Sequence, residues 1–450
     1  MKKRQLTAIL LSAVLAFGLV ACGGSSSGGA STGSAEASTA SAEESAPAAE
    51  ASTAEAEATD TGAEAPAGEL AGPFKIGVAT IFEGEQWEIQ RNYFVNELGP
   101  ALNMEFMFSE RINDANALMD FIDQAFAADC DGILSFRTQG EDVAQAARKC
   151  EDYGMYYVTQ NSKVADEVAG LSYNVGHCGA DPVKMGAAYK ELFAELLSDG
   201  EPHSLFLYSC GAVGRMADSH YYSSTAILEA YQEAYGLTYE KSIDEMLNTQ
   251  EPQEWATGRD DVKIYIFPGI DWDAAAIAAQ AQLQTGDYDT FAACAQWQIF
   301  STGIDEVERS LGKDIRIVGT VNIDDQTQTG FASQDSFGNQ LINAGMVNPL
   351  CPADAINCIE LYNALAGGAE QMKEGGNAVL VGVAPFVCMD SETYNGITQL
   401  DRSADTYIIN KEDISKLLVT TNPSVTWKDI DAYLNEIADI DYVLSSRGIQ

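Results

Sequence analysis

The sequence predicts a doubly wound α/β protein built from two parallel-sheet lobes. Three observations carry this. Short runs that are apolar at every position recur along the chain, as expected of strands buried on both faces of a parallel sheet. Longer segments with helical spacing separate them. Roughly 380 residues lie beyond Gly72, more than one ordinary core accommodates, and the runs are numerous enough for two sheets.

Taken in order, "FKIGVATI" (74–81) is strand-like and "WEIQRNYFVNELGPAL" (87–102) has helical spacing. "MEFMFS" (104–109) precedes the amphipathic "DANALMDFIDQAFAA" (114–128). "GILSFR" (132–137) precedes "EDVAQAARKCEDYG" (141–154), and the strands "YYVTQN" (156–161) and "GLSYNVG" (170–176) follow. "KMGAAYKELFAELL" (184–197) reads as a helix, "SLFLYSC" (204–210) as a strand and "TAILEAYQEAYG" (225–236) as a helix ended by Gly236. "VKIYIFPG" (262–269) with "AAAIAAQAQLQTG" (274–286) makes another pair. "TFAACA", "EVERSLG" and "IRIVGTVN" continue the alternation to residue 322.

The first 71 residues are different. Met1, Lys2, Lys3 and Arg4 precede an apolar run from Leu6 to Ala21. A basic start, a short apolar core and small residues at the break are the pattern of a secretory signal over 1–21. The core falls short of the about 20 apolar residues that cross a bilayer comfortably. Leu19-Val20-Ala21-Cys22 resembles the bacterial lipobox, which implies cleavage before Cys22 and a lipid on its sulfur. Two or more acyl chains give a stable anchor. Residues 22–71 then read as a tether of Ser, Ala, Gly, Thr and Glu, with no aromatic side chain. Such a segment cannot bury enough apolar surface to offset its ordering entropy. The expected location is therefore the cell membrane, lipid-anchored on the extracytoplasmic side.

The 67 acidic and 25 basic residues give a net charge of −42. With no basic stripe, nucleic acid is excluded as a partner. Eight cysteines lie beyond Cys22, several inside apolar runs, and are expected to be mostly free thiols behaving as small hydrophobes. No CxxC spacing occurs and there are three histidines, so no metal site or cofactor is expected.

In open α/β sheets ligands bind outside the carboxyl ends of the strands. The turns there hold a polar and aromatic set: Glu83, Glu85, Gln86 and Trp87; Arg137 and Gln139; Gln160 and Asn161; Arg215, Asp218 and His220. Further along come Asp271, Trp272 and Asp273; Gln296, Trp297 and Gln298; Asn322, Asp324 and Asp325. Three of the five tryptophans fall in these turns. An indole can cover the apolar C–H face of a ring while polar side chains take its hydroxyls, which describes a sugar. Other readings stand beside this one. Asp271 and Asp273 suit helix capping, Trp87 suits the first core position of its helix, and Arg137 or Arg215 suits a surface ion pair.

These residues give the chain its resemblance to the type I periplasmic binding proteins, in the ribose/galactose-like branch that feeds ABC transporters. It covers roughly 73–415 and rests on "KIGVATI", "CDGILSF", "GAAYKELFAELL", "GIDWDAAAIAAQAQL", "LGKDIRIVG" and "YIINKEDI", in that order. The resemblance implies two lobes joined by a three-strand hinge with ligand between them. Lobe one would be 73–175 and 347–400, lobe two 177–346, and 401–450 would pack across the hinge. It implies Trp272 stacking on one face of a sugar ring and Trp87 nearest the other. The family's Asp-Arg pair falls at Gln160 and Asn161. Its Arg early in the helix after "SLFLYSC" falls at Ser223, with Arg215 and His220 nearby as substitutes. Its Asn-Asp pair is replaced near Gln296 and Trp297, and its later Asp falls near Val321, leaving Asn322 or Asp324 to stand in. The late Gln is close to Asn348 and Leu350.

The expected function is capture of a small polar ligand, a sugar or sugar-like molecule, between closing lobes, with delivery to an ABC permease by a monomer. Nucleosides and other polar metabolites remain alternatives, as does a sensor feeding a membrane receptor or kinase. A hydrolase is not expected, since no nucleophile elbow, metal motif or Ser-His-Asp arrangement is present.

Overall fold

The structure is a computed structural model and describes residues 69–136, 140–160, 166–210, 218–269, 272–294 and 303–449. Five strands come first: β1 (Phe74–Ala79), β2 (Met104–Phe108), β3 (Gly132–Ser135), β4 (Tyr156–Thr159) and β5 (Asn174–Ala180). Six follow: β6 (Leu205–Tyr208), β7 (Gln253–Trp255), β8 (Ile264–Phe267), β9 (Thr290–Ala293), β10 (Arg316–Val321) and β11 (Ala344–Val347). The last four are β12 (Lys373–Glu374), β13 (Asn377–Ala378), β14 (Leu380–Val383) and β15 (Phe386–Cys388).

They form two large sheets. The first runs β14-β5-β4-β3-β1-β2, and all its pairings are parallel. The second runs β15-β11-β10-β9-β6-β8-β7, parallel except for the edge strands β7 and β15. The side-chain alternation of a strand divides the first sheet's core in two. Ile133 and Tyr157 face the helices Ala115–Ala127 and Gly140–Tyr153, while Leu134 and Val158 face the opposite layer. Gly77 on β1 meets a close helix: a Cβ there would lie 2.8 Å from Ile133 Cδ1 and 3.1 Å from Ala125 Cβ.

The chain passes between the sheets three times, after β5, after β11 and between β14 and β15. Hydrogen bonds tie the first passage to the third. Asp181 N donates to Val383 O at 2.9 Å, and Lys184 Nζ donates to Gly382 O at 2.9 Å. Asp181 also caps the helix Pro182–Leu196, accepting from Val183 N and Lys184 N at 2.8 and 3.0 Å, which satisfies two of that helix's orphan donors.

The third passage corrects the expected boundary. The resemblance implies that β15 and the helix Ser391–Gln399 belong, with 347–400, to lobe one. Instead β15 pairs with β11, and Tyr394 stacks on Phe331 at 4.9 Å beside the second sheet. Apolar burial on β11 decides this, and the change of sheet falls within the two residues after Val383.

Every residue of the helix Pro352–Asn363 is buried. Its polar residues act as pegs. Asn357 Nδ2 donates to Cys178 O, Cys178 N donates to Asn357 Oδ1, and Asn363 exchanges hydrogen bonds with Leu417 O and Val419 N. The segment beyond residue 400 covers this helix and touches both lobes. Tyr407 packs 4.5 Å from Tyr93, and Leu444 fills the space above Gly396. Cys130, Cys150, Cys178, Cys210, Cys294, Cys351, Cys358 and Cys388 are all free and buried. Among the described residues no helix is long and apolar enough to cross a membrane. Cys22 and the rest of the leader and tether lie outside the described residues.

Candidate functional site

A cavity of about 420 Å³ lies where the three passages meet the carboxyl ends of the strands. The turn after β1 and the helix Glu85–Tyr93 supply Phe82, Gln86 and Gln90. Gln86 and Gln90 are four residues apart, so they share one helix face. Gly84, with φ +74°, opens that helix in a conformation that favours glycine. Gln160 enters from the end of β4, positioned by its own N–H donating to Ser135 O at 2.8 Å. Each passage contributes lining: Gly179 and Ala180 in the first, Asn348, Pro349 and Leu350 in the second, Val383 in the third. The second lobe adds Ser219 and Asn322.

The chemistry of this lining is uniform. Its polar members are five side-chain amides (Gln86, Gln90, Gln160, Asn322 and Asn348) and the hydroxyl of Ser219, and among the described residues no charged side chain lines it. Amides both donate and accept, as a hydroxyl does. Phe82 supplies a flat apolar surface beside them. Gln90 is 1% exposed; its Nε2 donates to Asp354 Oδ2 at 3.0 Å, and its Oε1 is buried with no hydrogen-bond partner. Burial, aided by the nearby Asp401 charge, holds the Asp354 carboxyl behind the cavity well above the usual carboxylate range.

The predicted residues divide into three groups. Gln160 and Asn322 line the cavity, as do Asn348 and Leu350, the positions nearest the family's late Gln. Asn322 is held from behind, its carbonyl accepting from Tyr394 OH at 2.8 Å.

Four others serve elsewhere. Glu85 is exposed and accepts from Arg402 Nη1 at 2.7 Å. Trp87 is half-buried and packs against the core: its indole meets Phe108 and Phe136 edge-on at 5.6 and 6.1 Å, with Phe94 at 6.4 Å, and Phe82 from the same turn takes the place in the lining. Asp324 caps the helix Asp325–Ala332, its Oδ1 accepting from Thr327 N at 2.8 Å. His220 does not line the cavity. Its Nδ1 is buried with no hydrogen-bond partner among the described residues, and burial pushes its pKa down to about 4.

Arg137, Asn161, Arg215, Gln296 and Trp297 lie outside the described residues, as does the side chain of Trp272, whose backbone opens the helix Trp272–Leu283. Missed by the sequence reading were Phe82, which merely extends an apolar run, and Gln90, whose signal is a lone amide among the buried positions Ile89 and Tyr93.

Solved structures share this architecture. One is an ABC transporter solute binding protein from Burkholderia graminis C4D1M in complex with D-arabinose, 13% identical, with a TM-score of 0.50 over 70% of this chain and 95% of that one. Another is a galactofuranose binding protein, 11% identical, with a TM-score of 0.50 over 73% of this chain and 98% of that one. The chain has the type I periplasmic binding protein fold. No family model matches the sequence, and no curated protein matches it.

Proposed function

We propose that the chain is an extracytoplasmic, lipid-anchored binding protein that captures a neutral polyhydroxylated ligand, a sugar or polyol, between its two lobes and hands it to an ABC permease. The observation that carries this is the uncharged amide belt around a cavity at the three passages. A cavity of this volume suits a small ligand, and an amide belt matches hydroxyls in either direction without the desolvation penalty of a charged group. The D-arabinose bound in one structural neighbour, and the naming of another as a galactofuranose binding protein, agree with the reading. No bond is made or broken; ligand favours the closed arrangement because only there do both lobes contact it. The leader, Cys22 and the acidic tether supply the export and anchoring part of the proposal.

The test is isothermal calorimetry, with intrinsic tryptophan fluorescence alongside, against neutral pentoses, hexoses, inositols, nucleosides and their charged counterparts such as uronic acids. Saturable binding of at least one neutral polyol, with the uronic acids excluded, is the expected result. Folded protein that responds to none of the panel, or only to anions, overturns it.

A further inference from the structure

The amino-terminal edge of the second sheet, opposite the cavity, carries many carboxylates, and several are paired with cations. Arg316 pairs with Asp199 at 2.5 Å, and His203 lies between Asp199 and Asp289 at 3.1 and 3.3 Å. One group is not. Glu308 on the helix Ile304–Leu311, Asp314 in the connection to β10 and Asp335 in the turn before β11 bring carboxylate oxygens within 4.8 Å of one another. Among the described residues no lysine, arginine or histidine forms an ion pair with any of the three.

Each carboxylate is held by one oxygen. Ile315 N donates to Glu308 Oε1 at 2.9 Å, Asn339 Nδ2 to Asp314 Oδ2 at 2.8 Å, and Phe337 N and Asn339 N to Asp335 Oδ1 at 2.7 and 2.9 Å. The remaining oxygens of Glu308 and Asp314, Oε2 and Oδ1, are buried with no hydrogen-bond partner. Glu308 itself is 1% exposed. A buried carboxylate oxygen with no donor, next to two more carboxylates, is costly unless something positive sits among them.

The geometry points to a calcium site formed by Glu308, Asp314 and Asp335, which pins the helix Ile304–Leu311 and the turn before β11 to the base of β10. The ligand set is all oxygen, which selects hard cations. Three carboxylates from three separate elements suit the larger, geometrically tolerant Ca²⁺; Mg²⁺ is usually held by one or two carboxylates and keeps most of its waters. Water completes the coordination. The site lies at the end of β10 away from Asn322, so its role is structural and does not depend on the ligand-binding proposal.

The test uses EDTA-stripped full-length protein titrated with CaCl2 or MgCl2, followed by calorimetry and thermal melting. Wild type is expected to bind one Ca²⁺ saturably and to gain several degrees in Tm. Asp335→Asn and Glu308→Gln each keep the oxygen that accepts the backbone N–H while removing a charge. Both variants should bind Ca²⁺ roughly tenfold or more weakly. They should also melt at or above wild type in EDTA, where carboxylate repulsion is relieved, and below it in CaCl2. This reversal of order separates loss of a metal site from a folding defect. The inference is overturned by saturable Ca²⁺ binding that survives both substitutions, by a response to Mg²⁺ alone, or by the absence of any saturable binding.

Discussion

Gln160 is the lining residue whose replacement reads most cleanly. Its side chain is half-buried, and the backbone bond that positions it, to Ser135 O, does not involve the amide. Gln160→Ala is expected to leave Tm unchanged and to weaken ligand binding by about 1–1.5 kcal/mol, roughly tenfold, measured by calorimetry. Asp354 gives a different prediction. Above about pH 4, the usual range of a free carboxyl, the unfolded chain ionises this group, while burial delays its ionisation in the folded protein to higher pH. The native state therefore loses stability through Asp354 as pH rises. Asp354→Asn cannot titrate, so urea midpoints should move in favour of the variant between pH 5 and pH 8; a constant difference from wild type would contradict this. Single residues were unevenly legible in the sequence. Gln160 and Asn322 stand out because polar groups that end an apolar strand fall at the sheet's carboxyl edge. Trp87 and Asp324 carry the same signal and do other work. The rings that bury Trp87 come from three separate elements, and the N–H that Asp324 caps belongs to its own helix, so neither role shows in the local pattern.

Among the elements, the alternation of buried strands with amphipathic helices was readable, and the two parallel sheets follow from it. The helix Pro352–Asn363 was not readable as a core element. Asp354, Asn357, Glu360 and Asn363 recur at every third position, a stripe that normally marks a wet face. Here the stripe is buried, because Asn357 pegs β5 and Asn363 pegs the segment after Leu417. The short strands β14 and β15, four and three residues long, carry too little pattern to reveal a change of sheet. At that change Gly382 has a specific burden. A Cβ on it would lie 2.4 Å from Asp181 Cβ and 2.5 Å from its Oδ2. Gly382→Ala should therefore displace the cap of the helix Pro182–Leu196 and the bond between the first and third passages. A loss of about 1–3 kcal/mol in chemical denaturation is expected, with weaker ligand binding in proportion to the disturbance of the hinge. Wild-type stability in this variant would show that Asp181 can move without cost.

For the whole molecule the governing quantity is charge. Beyond residue 71 the chain has 58 acidic and 22 basic residues, and this net charge of −36 repels itself, while the ion pairs between exposed side chains contribute little each. Screening should therefore help more than it harms: raising NaCl from low millimolar to about 0.1 M shortens the Debye length to about 10 Å, and Tm should rise across that range. A fall would mean that surface pairs such as Arg111–Glu83, at 2.7 Å, matter more than the overall repulsion. The eight sequestered cysteines of the body carry a practical consequence at this same scale. A maleimide finds no target on them while the fold holds, and with no disulfide among them a reductant has nothing there to break. Their labelling then becomes a clock for global opening, and a ligand that draws the halves together should slow it.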